Sequence, residues 1–226
     1  MRYQRRDTKN SLFHQNASVW PDGKQCEKCE PPDTKEIFIY KLLQHVGIGP
    51  EAHFIVPIHG AKRTLYIITK DCHFVLLSKL TEVSANTKTL VQLDLISRIL
   101  CLCDCLTNSG NCGQVDDKPM IIDFGIVTQS RGYVKSDILD EFYQGNDEFN
   151  YSGLRAVPVR VQKQEKLNIL KESLQEWKLL DNIERTVLEV NTWVQKLSDK
   201  IEFEDDLQRY AEDVRATVEI LSKAVM

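Results

Sequence analysis

Apolar positions along the chain change period several times, and the changes divide it. Residues 1–34 show no sustained apolar period; Asn, Gln, Asp and Lys are frequent, and Pro31-Pro32 closes an irregular N-terminal segment. Asp33-Thr34-Lys35-Glu36 then opens a predicted helix, with Asp33 or Thr34 as its N-cap. Its apolar positions Ile37, Tyr40, Leu43 and Val46, flanked by Ile39 and Leu42, recur at helical spacing. Gly47-Ile48-Gly49-Pro50 ends it. Phe54–Ile58 and Thr64–Thr69 read as strands joined through a turn at Gly60-Ala61-Lys62-Arg63, a predicted hairpin.

Leu90–Leu100 is apolar around most of its circumference, which predicts a buried helix. A polar loop with glycines follows at Thr107–Gly113. Pro119-Met120-Ile121-Ile122-Asp123-Phe124-Gly125 reads as a short strand ending at an acid and a glycine. Residues 128–162 are weakly patterned and read as loop with small elements.

From Lys163 onward there is neither Gly nor Pro. Leu167, Leu170, Leu174 and Trp177 repeat at three and four, as do Ile183, Val187, Val190, Val194, Leu197 and Ile201. Leu207, Tyr210, Val214, Val218, Leu221 and Val225 continue the habit. The phase slips at Leu180-Asp181-Asn182 and at Glu204-Asp205-Asp206. The pattern predicts two or three amphipathic helices with coiled-coil character, offering either an internal bundle or a surface for a protein partner.

Composition narrows the class. The 226 residues carry 29 Lys+Arg against 33 Asp+Glu, a formal net charge of -4, which argues against a dedicated nucleic-acid binder. No apolar stretch approaches the roughly 20 residues a membrane helix needs, and the first residues lack the apolar core of a signal peptide. Seven cysteines, an odd number, fit a reducing compartment, so the expected location is cytoplasmic. Asn16 and Asn150 then lie in accidental sequons. Cys26-x2-Cys29 is half of a zinc knuckle, but no second pair follows at finger spacing, and structural cysteines are the expectation.

The chemistry-bearing feature is the order of three segments. A helix with an early glutamate, Glu36, comes first. A strand pair leading into Ile67-Ile68-Thr69-Lys70-Asp71 comes next. Last is the loop Asp104–Asn111, followed by Asp123-Phe124-Gly125; the spacing is Asp-x6-Asn-x11-Asp-Phe-Gly. This order resembles the protein kinase-like superfamily of protein kinases and small-molecule phosphotransferases. The resemblance runs from about Glu36 to Gly125.

That resemblance implies an α+β, protein kinase-like fold with a truncated N-lobe. The corresponding division is an N-terminal segment 1–34, a kinase-like domain 35–160 and a helical C-terminal region 161–226. It implies that Glu36 pairs with a phosphate-anchoring lysine, for which Lys24 and Lys28 are the upstream candidates. Leu65-Tyr66-Ile67-Ile68 would enter the hinge that receives adenine. Asp104 would be the catalytic acid-base residue, with Asn111 and Asp123 as magnesium ligands, Asn108 being the other candidate for the asparagine. ATP and Mg²⁺ are the implied cofactors, and the implied acceptor is a hydroxyl on a protein or small molecule. The chain departs from the family where His-Arg before the catalytic Asp is Leu102-Cys103, where the Asp-to-Asn step is seven residues rather than five, and where G-x-G-x-x-G and A-P-E are missing. Those departures imply an alternative, a pseudokinase-like scaffold.

Overall fold

The structure is a computed structural model that describes residues 3–8, 11–15, 31–56, 58, 65–80, 86–105, 108, 110–127, 134, 136–145, 160–204 and 206–226. Strands β1 (Tyr3–Thr8) and β2 (Ser11–Gln15) precede helix α1 (Thr34–His45). Strands β3 (Ala52–Ile55) and β4 (Tyr66–Lys70) follow it. These strands make one antiparallel sheet in the order β1-β2-β4-β3, with Phe13 opposite Ile68 and Phe54 opposite Ile67.

The expectation of an irregular segment over residues 1–34 is therefore corrected at 3–8 and 11–15. These residues lack a clean apolar alternation, and their strand state comes from backbone pairing, β1 on β2 and β2 on β4, the latter a contact more than fifty residues away in sequence. The predicted strand Phe54–Ile58 starts two residues earlier and ends at Ile55, with Ala52 buried and His53 and Ile55 exposed. The turn assigned to Gly60–Arg63 lies outside the described residues, as do Lys24, Lys28, Cys26, Cys29 and both sequons.

Helix α1 forms where the sequence predicts it. Asp33 caps it, its carboxylate accepting from the Lys35 N–H at 2.8 Å. Ile37, Phe38, Ile39, Tyr40, Leu42 and Leu43 are all buried, so the helix is enclosed on nearly every side. Helix α2 (Thr87–Ile99) is enclosed in the same way through Leu90, Val91, Leu93, Leu95, Ile96 and Ile99, and is capped by Asn86.

Between and after these helices lie short strands. β5 (Val75–Leu76) pairs with β7 (Cys112–Val115), which pairs with β8 (Lys118–Ile121), and β6 (Leu102–Cys103) pairs with β9 (Gly125–Ile126). The β7–β8 connection is the two-residue turn Asp116-Asp117, both at positive φ (46° and 62°) as a type I′ hairpin requires. Gly113 admits no side chain, because a Cβ there would overlap the Val75 carbonyl oxygen of β5.

The weakly patterned region contains one described helix, α3 (Ile138–Gln144), whose Ile138 and Phe142 are buried. The terminal stripe resolves into three helices, α4 (Lys163–Trp177), α5 (Leu179–Leu197) and α6 (Leu207–Ala224). The breaks fall near the predicted phase slips: Lys178, two residues before Leu180, takes the left-handed conformation between α4 and α5, and α5 ends at Leu197 while α6 starts at Leu207.

These helices share one apolar core with the preceding region. Ile183 and Val190 of α5, Leu170 and Trp177 of α4, and Tyr210, Val214 and Leu221 of α6 join Phe38, Leu95 and Phe124 in it. Much of the hydrophobic stripe is thus spent inside the molecule. α5 packs on α1 and α6, and α4 packs on α2. The Tyr210 hydroxyl donates to the Leu100 carbonyl at 2.6 Å, and its ring meets Phe38 edge-on at 5.9 Å. Among the described residues no helix is long and apolar enough to cross a membrane.

Candidate functional site

The loop after β6 is built by its own polar groups. Asp104 has φ +65°, a conformation Asp tolerates better than most side chains, and it turns the chain out of β6. Its carbonyl accepts from the Asn108 N–H at 3.2 Å and from Asn111 Nδ2 at 3.0 Å. The Asn108 side chain accepts from the Gly110 N–H at 3.2 Å, and the Asn108 carbonyl accepts from the Asn111 N–H at 3.0 Å. The described polar residues of this loop close a turn. In doing so they hold Asn111, which is buried, beside Asp104.

The third residue arrives through the β7–β8 hairpin. The Asn111 carbonyl accepts from the N–H groups of Ile122 at 2.8 Å and Asp123 at 3.3 Å, so Asn111 and Asp123 are joined through the main chain. Asp123 Oδ1 accepts from the Phe124 N–H at 2.9 Å. Gly125 pairs with Cys103 across β6 and β9, and a Cβ on it would stand 2.7 Å from Cys103 Sγ. A side chain at this glycine of Asp-Phe-Gly would make the exposed Cys103 side chain shift.

These elements enclose a cavity of about 500 Å³ lined by Asp104, Asn108, Gly110, Asn111, Asp123, Phe124 and Gly125. The structure thus brings together Asp104, Asn111 and Asp123, along with the alternative asparagine Asn108. A carboxylate from Asp123 and the amide oxygen of Asn111 are hard ligands suited to Mg²⁺, a cation that commonly keeps several waters.

Glu36 lies in the first turn of α1 and is not among the residues lining this cavity. Its helix nevertheless reaches the site. Tyr40, one turn further on, places its ring 4.7 Å from Phe124 and its hydroxyl 3.4 Å from the Ile122 carbonyl, to which it donates. Lys35, the remaining lysine near Glu36, is buried and lies 3.6 Å from both Asp33 and Asp206. That position ties it to the terminal segment.

The cysteines around the loop pack it. Cys112 Sγ donates to the Cys105 carbonyl at 2.7 Å, and Cys105 Sγ lies 3.1 Å from Ser97 Oγ on α2. Burial, with Cys105 beside it, pushes the Cys112 thiol well above its ordinary value. A thiol held in that state is a poor metal ligand. Among the described residues no group of three or more His, Cys, Asp or Glu side chains is placed to hold a metal ion.

One charged cluster escaped the sequence reading. Asp94 of α2 is fully buried, its Oδ1 accepting from Arg98 Nε at 3.0 Å while its Oδ2 has no hydrogen-bond partner. Arg98 also donates to Glu141 of α3 at 3.1 Å. The buried Lys166 of α4 donates to the Phe142 and Tyr143 carbonyls at 2.9 and 3.0 Å. Desolvation pushes the Asp94 carboxyl up to about 6, against the attraction of Arg98. The available signal was an acid and a base four residues apart inside a stretch that is otherwise apolar around most of its circumference.

Comparison with known protein families, with curated proteins and with solved structures finds no match for this chain.

Proposed function

We propose that the chain is a divergent Mg-ATP-dependent phosphotransferase of the protein kinase-like type, acting on a hydroxyl acceptor. The observation that carries the reading is the cavity in which Asp104, Asn111 and Asp123 converge. The order of elements around it supports the same reading: a sheet with a glutamate-bearing helix, an enclosed helix, a polar loop, a hairpin and Asp-Phe-Gly. Bound Mg-ATP would supply the phosphoryl group, with the metal offsetting charge on its oxygens. Asn111 and Asp123 would hold the metal. Asp104, exposed at the cavity, would orient the acceptor hydroxyl and take its proton. The acceptor belongs to a protein or a small molecule, and the site as described favours neither.

A second reading, a nucleotide-binding scaffold without turnover, is favoured by Leu102-Cys103 in place of His-Arg. Cys103 pairs with Gly125 there and brings no charge to the loop. Phosphoryl transfer depends almost wholly on positioning and charge stabilisation, so such a loss weighs on rate more than on binding.

ATP turnover by the purified chain and by Asp104→Ala separates the readings. The phosphotransferase reading expects Mg-dependent turnover that falls by about a hundredfold or more in the variant, the scale of a lost general base. Turnover that survives the substitution would remove Asp104 from the chemistry. Binding without turnover in either form would select the scaffold.

A further inference from the structure

Five aromatic rings form one continuous row across the molecule. It starts at Phe124 in the candidate site and passes to Tyr40 of α1 at 4.7 Å, then to Phe54 of β3 at 6.5 Å. It continues to Trp193 of α5 at 5.6 Å and ends on Phe203, in the segment between α5 and α6, at 5.7 Å. The site and the terminal helices are therefore in contact through α1.

Polar contacts from the same terminal stretch grip both ends of α1. At the N-terminal end the Thr34 N–H and Oγ1 donate to the Glu204 carbonyl at 3.1 and 3.0 Å, and the Glu204 N–H donates to the Pro32 carbonyl at 3.0 Å. Asp206 lies 3.6 Å from the buried Lys35. At the C-terminal end Glu189 lies 3.2 Å from Lys41 Nζ and 2.9 Å from His45 Nε2. Partial burial works to raise the Glu189 carboxyl, but hydrogen bonds from His45 and Lys41 together hold it below the ordinary range.

Apolar packing is non-directional and would let a helix enclosed on all sides settle in several rotations. Hydrogen bonds and a paired buried lysine are directional and select one. Glu36 and Tyr40 are four residues apart and share a face. Whatever sets Tyr40 against Phe124 therefore also sets the direction of Glu36.

We propose that the terminal helical region is a built-in positioning element for the candidate site. Trp193 acts through Phe54 and Tyr40 to seat Phe124, and Glu189 fixes the rotation of α1. Trp193 and Glu189 are positioning residues; neither touches the cavity around Asp104. The consequence for nucleotide affinity rests on the function proposed above, whereas the mechanical coupling does not.

Hydrogen–deuterium exchange on the full chain tests the coupling without any ligand. In Trp193→Ala, amides of residues 34–45 and 123–126 should exchange about tenfold faster while those of α2 hold their protection, as expected of a local opening. Trp193→Phe should restore the parent pattern. Glu189→Gln, at a half-exposed position that endangers folding less, should speed α1 exchange by about threefold. Ile169→Ala, a core truncation on α4 away from the row, controls for general destabilisation. Mg-ATP affinity measured on the same proteins should fall with α1 protection and return in Trp193→Phe. Unchanged α1 exchange in both Trp193→Ala and Glu189→Gln, or loosening no greater than in Ile169→Ala, would overturn the proposal. Loosened α1 in a chain whose parent form binds no Mg-ATP would uphold the positioning element and defeat the nucleotide reading instead.

Discussion

The segment 101–127 and the terminal helices 163–226 are held in opposite ways. Around the site, order comes from main-chain and short polar contacts: Asn111 bonds to Asp104 and receives Ile122 and Asp123, while Cys101 accepts from the Val127 N–H at 3.0 Å. In the terminal helices, order comes from buried side chains such as Leu170, Trp177, Ile183 and Tyr210. The first arrangement fixes polar groups at the edge of a cavity, over a short apolar base that includes Ile121, Ile122 and Phe124. The second buries much apolar surface and leaves the described polar residues mainly outside. Apart from the positioning residues Trp193 and Glu189, changes in the terminal helices should therefore register in stability, and changes at the loop in ligand binding.

The largest effect should come from Trp177. It is fully enclosed where α4 meets α5, so Trp177→Ala should destabilise the chain by about 3–5 kcal/mol. Chemical denaturation of the full chain measures it. A loss below about 1 kcal/mol would mean the terminal helices are not part of the common core, and the contrast between the regions would fail.

A smaller effect is expected at Asp94, which stands between the two regions. Its folded value of about 6 lies above the reference value of 3.8, so the native state holds the proton more tightly. Its contribution to stability is then fully present below about pH 4 and is lost as pH rises through about 6, with a magnitude of about 3 kcal/mol. The proton can sit on Oδ2, the oxygen without a partner. Asp94→Asn should flatten the decline in stability between pH 4 and 7, as read from denaturation midpoints across that range. Parallel pH curves for parent and variant would place the titration elsewhere.

How much was legible in the sequence follows the same division. α1, α2 and the terminal helices write their burial locally, in positions such as Ile37, Leu93 and Val190, so period alone finds them. β1 and β2 could not be read that way, because backbone pairing makes them strands, β2 with Ile67 and Ile68 of β4 and β1 with β2. Asp104, Asn111 and Asp123 were singled out by the resemblance of their segments, despite an altered spacing, and the structure gathers them at one cavity. The aromatic row was not legible, since Tyr40 and Phe54, Phe124, and Trp193 and Phe203 come from three distant parts of the chain and each reads as an ordinary core residue. The Asp94 cluster was not legible either, since Glu141 and Lys166 reach it from two other elements.

The central claim is that the loop region is a Mg-nucleotide site whose key oxygens are separable from the fold, and Asp123 tests it most directly. Thermal unfolding of the parent chain and of Asp123→Asn is followed with ATP, with and without Mg²⁺. Because a ligand bound only by the folded state adds to its stability, ATP at one hundred times Kd should raise the parent by about 2.7 kcal/mol when Mg²⁺ is present. Asp123→Asn should melt within a few degrees of the ligand-free parent and gain nothing from Mg-ATP. An equal Mg-ATP shift in the variant, or none in the parent, would contradict the account.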